Sequence, residues 1–471
     1  MKYFTEVLLL SQLLFTASAQ SACPSPSGKI RPSVASGYSL QVVATGLSKP
    51  RGLTFDDQGH LLVVEQGSGT ISSHIIDESN GCVTTRDSSV VVAEGLDLNH
   101  GIWINGTTLY ASNVSSVFSW AYDPAARTVQ NQEELISNMN NSGHQTRTLL
   151  LSQQVPGMMV VSRGSASNLD PLSATIDGGP AQVKAFNLNN RTNVYNWNDD
   201  GLLMAWGVRN EVGLVEHPLT GGIFGIENSA DEITRNGVDV STNNPGEELN
   251  FFGYLNGTAY ENQGANFGYP YCLSVWNVTE LPNSQDLSIG DQFAFDQVSS
   301  LNNENQTDEF CADRAAPRLV FQAHMAPLDI KFNNSGTEAY IPFHGSWDRD
   351  EGVGYKLSLV QFENGQPTEA SDSTTAATDI VSNEDNSVCP DDCLRPVAIA
   401  FDSQGRIFMS SDSSGEIYLV TREAASNGTG TSTSTGSSPS SSASPTSAGV
   451  LYGPPVARSG VILAFIVFLL F

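Results

Sequence analysis

PRGLTFDDQGHLLVVEQGSGTI, residues 50–71, holds a complete supersecondary unit: an apolar strand, a turn at Asp57–Gly59, a second apolar strand and a Ser/Gly loop. The unit recurs. NHGIWINGTTLYASNVSSVFSW begins at Asn99 and RTLLLSQQVPGMMVVSRGSAS at Arg147. RNEVGLVEHPLTGGIFGIENSADEI begins at Arg209, PLDIKFNNSGTEAYIPFHGSWD at Pro327 and RPVAIAFDSQGRIFMSSDSSGEIYLV at Arg395. The six starts lie 49, 48, 62, 118 and 68 residues apart. A four-stranded propeller blade takes about 40–50 residues, so each interval holds one. The long interval needs an insertion, and the turn-rich stretch from Asp239 to Asp313 supplies it. Apolar and polar residues alternate within the strands, as in Leu53-Thr54-Phe55, and no segment carries a long helical period. The expected fold is all-β: a six-bladed β-propeller with four-stranded antiparallel blades, an array that shields strand edges. Tyr38 to Ala44 reads as an N-terminal strand that completes the last blade beside Ile417 to Thr421. A pair of β-sandwiches does not explain six similar units.

Outward from the repeats, both ends read as processing signals. Residues 1–19 have a basic start at Lys2, an apolar run from Val7 to Phe15 and an A-x-A site at Ala17-Ser18-Ala19, the pattern of a cleaved signal peptide. Residues 20–424 are the expected propeller domain. Residues 425–447 form a Ser/Thr-rich stalk with too few apolar side chains to bury a core. Residues 448–471 match a GPI-anchor signal: small residues Ser447-Ala448-Gly449 at its start, a mixed spacer, then an apolar tail from Val461 to Phe471. That tail is too short for a ~30 Å hydrocarbon core. Nine N-x-S/T sequons, from Asn105 to Asn427, agree with passage through the secretory route. The expected location is therefore the cell surface, with membrane contact only through the lipid anchor. Six cysteines suit an oxidising compartment, and sequence order suggests Cys23–Cys82, Cys272–Cys311 and Cys389–Cys393 among the fifteen possible pairings. The formal net charge of −28 argues against nucleic acid and against a polybasic membrane contact.

Equivalent positions of propeller repeats gather around the axis. At the repeat starts stand Arg51, His100, His144 with Arg147, Arg209 with Asn210, His324 with Pro327, and Arg395. In a chain with 22 Lys and Arg against 50 Asp and Glu, this recurrence of cations and histidines predicts a central pocket for an anion with several carboxylates or phosphates. After the second strand of each unit come Glu65, Asn113, Arg163, Glu227, His344 with Trp347, and Asp412, which could line the same mouth. Trp347 offers a stacking face. His144, near Arg147, is the candidate proton acceptor, since neighbouring arginines favour the neutral imidazole.

Several of these stretches together resemble a known group. Pro50-Arg51-Gly52-Leu53, His144-Gln145, Arg209-Asn210, Asn266-Phe267-Gly268-Tyr269-Pro270, FHGSWDR from Phe343, Gly354-Tyr355-Lys356 and Arg395-Pro396 are similar to the soluble quinoprotein glucose dehydrogenase and sorbosone dehydrogenase superfamily. Its fungal branch comprises pyrroloquinoline quinone (PQQ) dependent pyranose dehydrogenases. The resemblance runs from about Tyr38 to Arg422. It implies a six-bladed propeller that binds PQQ, a flat tricarboxylate, with one calcium ion on the axis. It further implies oxidation of a reducing sugar to a lactone by hydride transfer to PQQ, with electrons passed to an external acceptor such as a cytochrome b domain or a quinone. By the same resemblance His144 is the base, and Arg209 stabilises charge developing beside the reacting carbonyl. Arg51, His100, Arg163, Asn210, His344, Trp347, Lys356 and Arg395 are then the expected cofactor-binding residues, with calcium on the Glu227-Asn228-Ser229-Ala230 loop through Asn228 and Ser229. Two departures stand out: Cys393 where bacterial relatives carry a second arginine, and no Gly-Pro pair in the calcium loop. Two alternatives remain. A calcium-dependent lactonase would place Asn, Asp and Glu around the metal, against the Arg and His found here. A non-catalytic surface receptor or adhesin is compatible with the same fold.

Overall fold

The computed structural model describes residues 26–79, 82–93, 95–297 and 306–423. The expected signal peptide (1–19), stalk (425–447) and anchor signal (448–471) lie outside these residues.

The six units fold as six antiparallel blades. Pro50–Phe55, Leu61–Glu65, Thr70–Asp77 and Thr84–Val92 make blade one. Blade two, from Ile102–Asn105 to Thr128–Ser137, gains a short parallel fifth strand, Tyr195–Asn196, from the next excursion of the chain. Blade three runs from Leu149–Leu151 to Leu202–Trp206, and blade four from Glu211–Glu216 to Leu319–Phe321. In blade five, Ser33–Val34 pairs with the outer strand Ala377–Ser382. Blade six is Pro396–Phe401, Ile407–Ser411 and Glu416–Arg422, with Tyr38–Ala44 as its outer strand: Leu40 faces Val420 and Val42 faces Tyr418. The N-terminal strand thus closes the ring.

The long fourth interval leaves blade four after Glu247–Tyr254 and returns with Leu319–Phe321. Between them, Cys272–Ser274 pairs with Gln292–Ala294, and Cys272 is bonded to Cys311. This excursion has its own small core around Tyr269, Leu273 and Phe293. The Cys389–Cys393 pairing also holds. Cys82 is disulfide-bonded, and its expected partner Cys23 lies outside the described residues.

The main cores lie between blades. Leu61 and Val63 pack against Phe408 and Leu419 of blade six, whereas Leu62 and Val64 pack against Leu109 and Ala111 of blade two. All four are buried. Alternation along such a strand therefore switches the neighbouring blade rather than core for water, which is why Leu61-Leu62-Val63-Val64 reads as a continuous apolar run. Near the axis the blades approach closely: a Cβ on Gly52 would overlap the His100 carbonyl.

Candidate active site

A cleft of about 420 Å3 opens where loops of blades three to six meet, lined by His144, Arg209, Asn210, Asn228, Ser229, His324, His344, Trp347 and Arg395 with three carboxylates, Asp231, Glu247 and Asp348. His144 reaches it from the loop before Leu149–Leu151. Its Nδ1 lies 2.9 Å from Ser165 Oγ and 3.1 Å from the Ser165 carbonyl. The Ser165 hydroxyl donates its own proton to the Ser167 carbonyl at 2.8 Å, so both groups beside Nδ1 are acceptors. Nδ1 must carry the ring proton, and Nε2 keeps a free lone pair. Burial, then the Arg209 charge, lowers the His144 pKa to about 3, so the ring is neutral at ordinary pH. Gly164 makes room: a Cβ there would stand 2.7 Å from both His144 Cβ and Asn210 Oδ1.

Arg209 is held from every side. Its N–H donates to Glu227 Oε1 at 2.6 Å. Nε donates to the Asn168 carbonyl, and Nη2 to Asn168 Oδ1 at 2.8 Å and Asp231 Oδ2 at 3.1 Å. Nη1 donates to the carbonyls of Asn228 and Ser229. Those are the two residues expected to bind calcium, so the guanidinium already sits against the carbonyl oxygens that a cation would use. Beside them Asn210 Oδ1 is buried without a hydrogen-bond partner.

The carboxylates of the wall are largely compensated. His324 Nδ1 lies 3.4 Å from Asp231 and 3.3 Å from Asp348, and Nε2 donates to the Ser241 carbonyl. Burial opposes its charge, but Asp231, the Ser241 carbonyl and Asp348 raise its pKa to about 9. Glu247 accepts the N–H groups of Ser229 and Ala326, while burial pushes its pKa up to about 7.

On the blade-six side Arg395 Nη2 donates to His344 Nδ1 at 3.0 Å and to the Gly345 carbonyl at 2.9 Å, and the guanidinium lies over the Tyr355 ring. With Nδ1 accepting, His344 Nε2–H donates to Asp412 Oδ1 at 2.9 Å. Asp412 Oδ2 in turn pairs with Arg51 Nη1 at 3.0 Å. Although burial acts against its charge, the bond from His344 and the nearby arginines hold the Asp412 carboxyl well below the usual carboxylate range. No acceptor meets Arg395 Nη1 among the described residues. Trp347 is 66% exposed at the rim.

The structure brings together His144, Arg209, Asn210, Asn228, Ser229, His344, Trp347 and Arg395. It does not form the full ring of cations. Arg51 does not line the cleft and is turned to Asp412 and His100. His100 faces a separate cavity of about 410 Å3 along the innermost strands, where Lys331 and Asp329 also stand. Arg163 turns outward to the Asn140 carbonyl and Asn198. Lys356 pairs with Asp379 of the neighbouring strand at 2.9 Å, away from the axis. Arg147 caps carbonyls of Met139, His144 and Thr146. Repeat position fixes where a Cα lies, but the nearest acceptor fixes where a long cationic side chain points. Sequence reasoning missed Asp231, Asp348 and Glu247: Asp348 stands inside the quoted FHGSWDR stretch, and the other two carry no signal in so acidic a chain. Asp412 was visible only as one polar residue among mixed equivalents.

The TrAA12-like family profile matches residues 32–423. The chain is 42% identical over 436 residues to the pyrroloquinoline quinone-dependent sugar dehydrogenase of Hypocrea jecorina, covering 90% of this chain and 98% of that protein. A calcium structure of the Trichoderma reesei family AA12 carbohydrate-active enzyme superposes with a TM-score of 0.79 at 43% identity, over 83% of this chain and 97% of the other. The holo form of the pyranose dehydrogenase PQQ domain from Coprinopsis cinerea superposes with a TM-score of 0.77 at 33% identity, over 85% and 99%.

Proposed function

We propose, from the premise that this chain belongs to the TrAA12-like family, that it is a PQQ-dependent sugar dehydrogenase that oxidises a reducing pyranose to its lactone. The single observation that carries this reading is the pairing of a neutral His144, open at Nε2, with the Arg209 guanidinium in one cleft.

The residues fit the cofactor. A flat tricarboxylate needs charged donors and a stacking surface. Arg395 has an uncommitted Nη1, Asn210 stands on the cleft wall with an amide NH2 that can donate, and Trp347 has an open face. The wall carboxylates are paired with Arg209, His324 or backbone N–H groups, so they offer little repulsion. Calcium would take the Asn228 and Ser229 carbonyls, with Asp231 adjacent, and Arg209 Nη1 would have to yield them. When bound, PQQ supplies the two-electron acceptor for the hydride from the sugar's anomeric carbon. His144 Nε2 takes the anomeric hydroxyl proton, and Ser165 holds the ring through Nδ1–H. Arg209 places positive charge where oxyanion character develops. The electrons then pass to an external acceptor.

The test is purified protein with PQQ and calcium chloride, screened across reducing sugars with an artificial electron acceptor. Lactone formation that needs PQQ is the expected result. Bound PQQ with no turnover on any aldose would overturn the reading. The chain is further proposed to reach the cell surface on a GPI anchor, on the strength of residues 448–471. A phosphatidylinositol-specific phospholipase should release it from intact cells; retention until detergent is added would count against the anchor.

A further inference from the structure

We propose that blade four carries a second, buried calcium site, distinct from the cleft, built from Glu211, Glu227, Glu248, Asn250 and Ser274. The register places Glu211 opposite Glu227 and Glu227 opposite Glu248, so three carboxylates stand in one row across three adjacent strands. Like charges in directly opposed positions destabilise a sheet. These are also buried, with 2%, 3% and 4% of their surface exposed. None of the three makes an ion pair among the described residues. Three uncompensated carboxylates are not tolerated there, so protons or a cation must neutralise them.

The surrounding oxygens favour the cation. Asn250 is fully buried, and its amide lies 3.1 Å from Glu227, 3.2 Å from Glu248 and 3.5 Å from Glu211. Its Oδ1 has no hydrogen-bond partner, nor has Glu211 Oε1. Ser274 Oγ, also buried, lies beside the Glu248 carboxyl without a bond in hydrogen-bonding geometry. Whatever neutralises the carboxyls must also satisfy the Asn250 amide oxygen and the Ser274 hydroxyl, which have no partner here. A hard cation uses oxygen lone pairs, and carboxylates with amide and hydroxyl oxygens form a calcium donor set. The Asn250 amide points its NH2 at the carboxylates here, and a half-turn would present Oδ1 to a cation held among them. The site bears on the cleft through Glu227, whose other oxygen holds the Arg209 N–H at 2.6 Å.

The experiment uses the secreted protein stripped with EGTA, free of PQQ, and titrated with calcium chloride while thermal unfolding is followed. Wild type should gain about 3–5 °C at a calcium concentration about 100 times the dissociation constant. The Glu211→Gln/Glu248→Gln double variant should lose that gain. No calcium-dependent gain in wild type, or an equal gain in the variant, overturns the site. A variant more stable than wild type at every calcium concentration overturns it too, because protons would then be the native occupant. If the variant does not fold, wild-type crystals grown with calcium chloride and without PQQ decide by anomalous scattering. A peak between Glu211 and Glu248 supports the site; a peak in the cleft alone overturns it. PQQ capture is read separately by absorbance, so failure of the dehydrogenase reading leaves this result intact.

Discussion

His144 is kept neutral by burial and by Arg209, and its Nδ1 proton is committed to Ser165. His144→Ala should leave PQQ binding intact and lower turnover by roughly 10²–10⁴, the usual contribution of a general base. A quinone titration and a turnover assay on one preparation check this, and full activity in the variant would place the base elsewhere. The same residue sets a pH slope. Its folded pKa of about 3 lies below the ordinary 6.5, so the unfolded chain binds more protons between those values. Stability of the PQQ-free protein should fall as pH drops from 6.5 towards 3, and less steeply in His144→Ala; urea midpoints across that window measure it. Arg395 has a different role. It sits at one end of the chain Arg395–His344–Asp412–Arg51, which anchors its guanidinium while leaving Nη1 free for an anion. A charge-assisted bond contributes about 1.5–3 kcal/mol, so Arg395→Ala should weaken PQQ binding at least ~10-fold. Arg191→Ala, which removes only an exposed pair with Glu133, should not change it. His144, Arg209 and Arg395 were legible because repeats superimpose their loop positions. The outward turn of Arg163 and Lys356 was not: Arg163 came from the repeat pattern and Lys356 from the family resemblance, and neither signal includes the acceptors Asn198 and Asp379.

At the scale of elements, the strands were legible wherever two apolar segments flanked a Gly or Asn turn, as at Leu53–Val64 and Ile399–Met409. Blade four was harder to read, because its third and fourth strands, Glu247–Tyr254 and Leu319–Phe321, are separated by the disulfide-bearing excursion. Tyr195–Asn196 was not legible at all: a two-residue parallel strand carries no period of its own. The closing strand Tyr38–Ala44 was legible, and its register is pinned by what it buries. Val43 and Ala44 pack into the core between blades six and one, and a one-residue slip would turn them out of it. A chain that starts after Ala44 loses this strand and leaves Glu416–Arg422 as a bare edge beside exposed apolar surface. It should unfold at lower temperature and aggregate, while the intact chain stays monodisperse. Calorimetry with size-exclusion chromatography tests this, and an unchanged transition would show that the ring closes without it.

For the whole molecule, the division of charge matters more than its total. Cations are few, and two of them, Arg209 and Arg395, line the cleft, whereas the formal net charge is −28. An incoming tricarboxylate therefore meets two fields with different reach. The long-range field of the whole protein repels it, and the local field of Arg395 and Arg209 attracts it only inside the cleft. Salt separates them. The screening length falls from about 30 Å at 0.01 M to about 8 Å at 0.15 M, so added salt removes the long-range repulsion before it weakens contacts at bonding distance. The association rate of PQQ should therefore rise with ionic strength over that range, by roughly 10-fold at the lower end of electrostatic rate effects. The dissociation rate should change little, because the pairs that hold the bound anion are partly buried. This is the reverse of ordinary steering between opposite charges. Stopped-flow measurement of quinone binding at several salt concentrations distinguishes the two. An association rate that falls with added salt would mean that the cleft's own field extends beyond its mouth and outweighs the acidic surface around it.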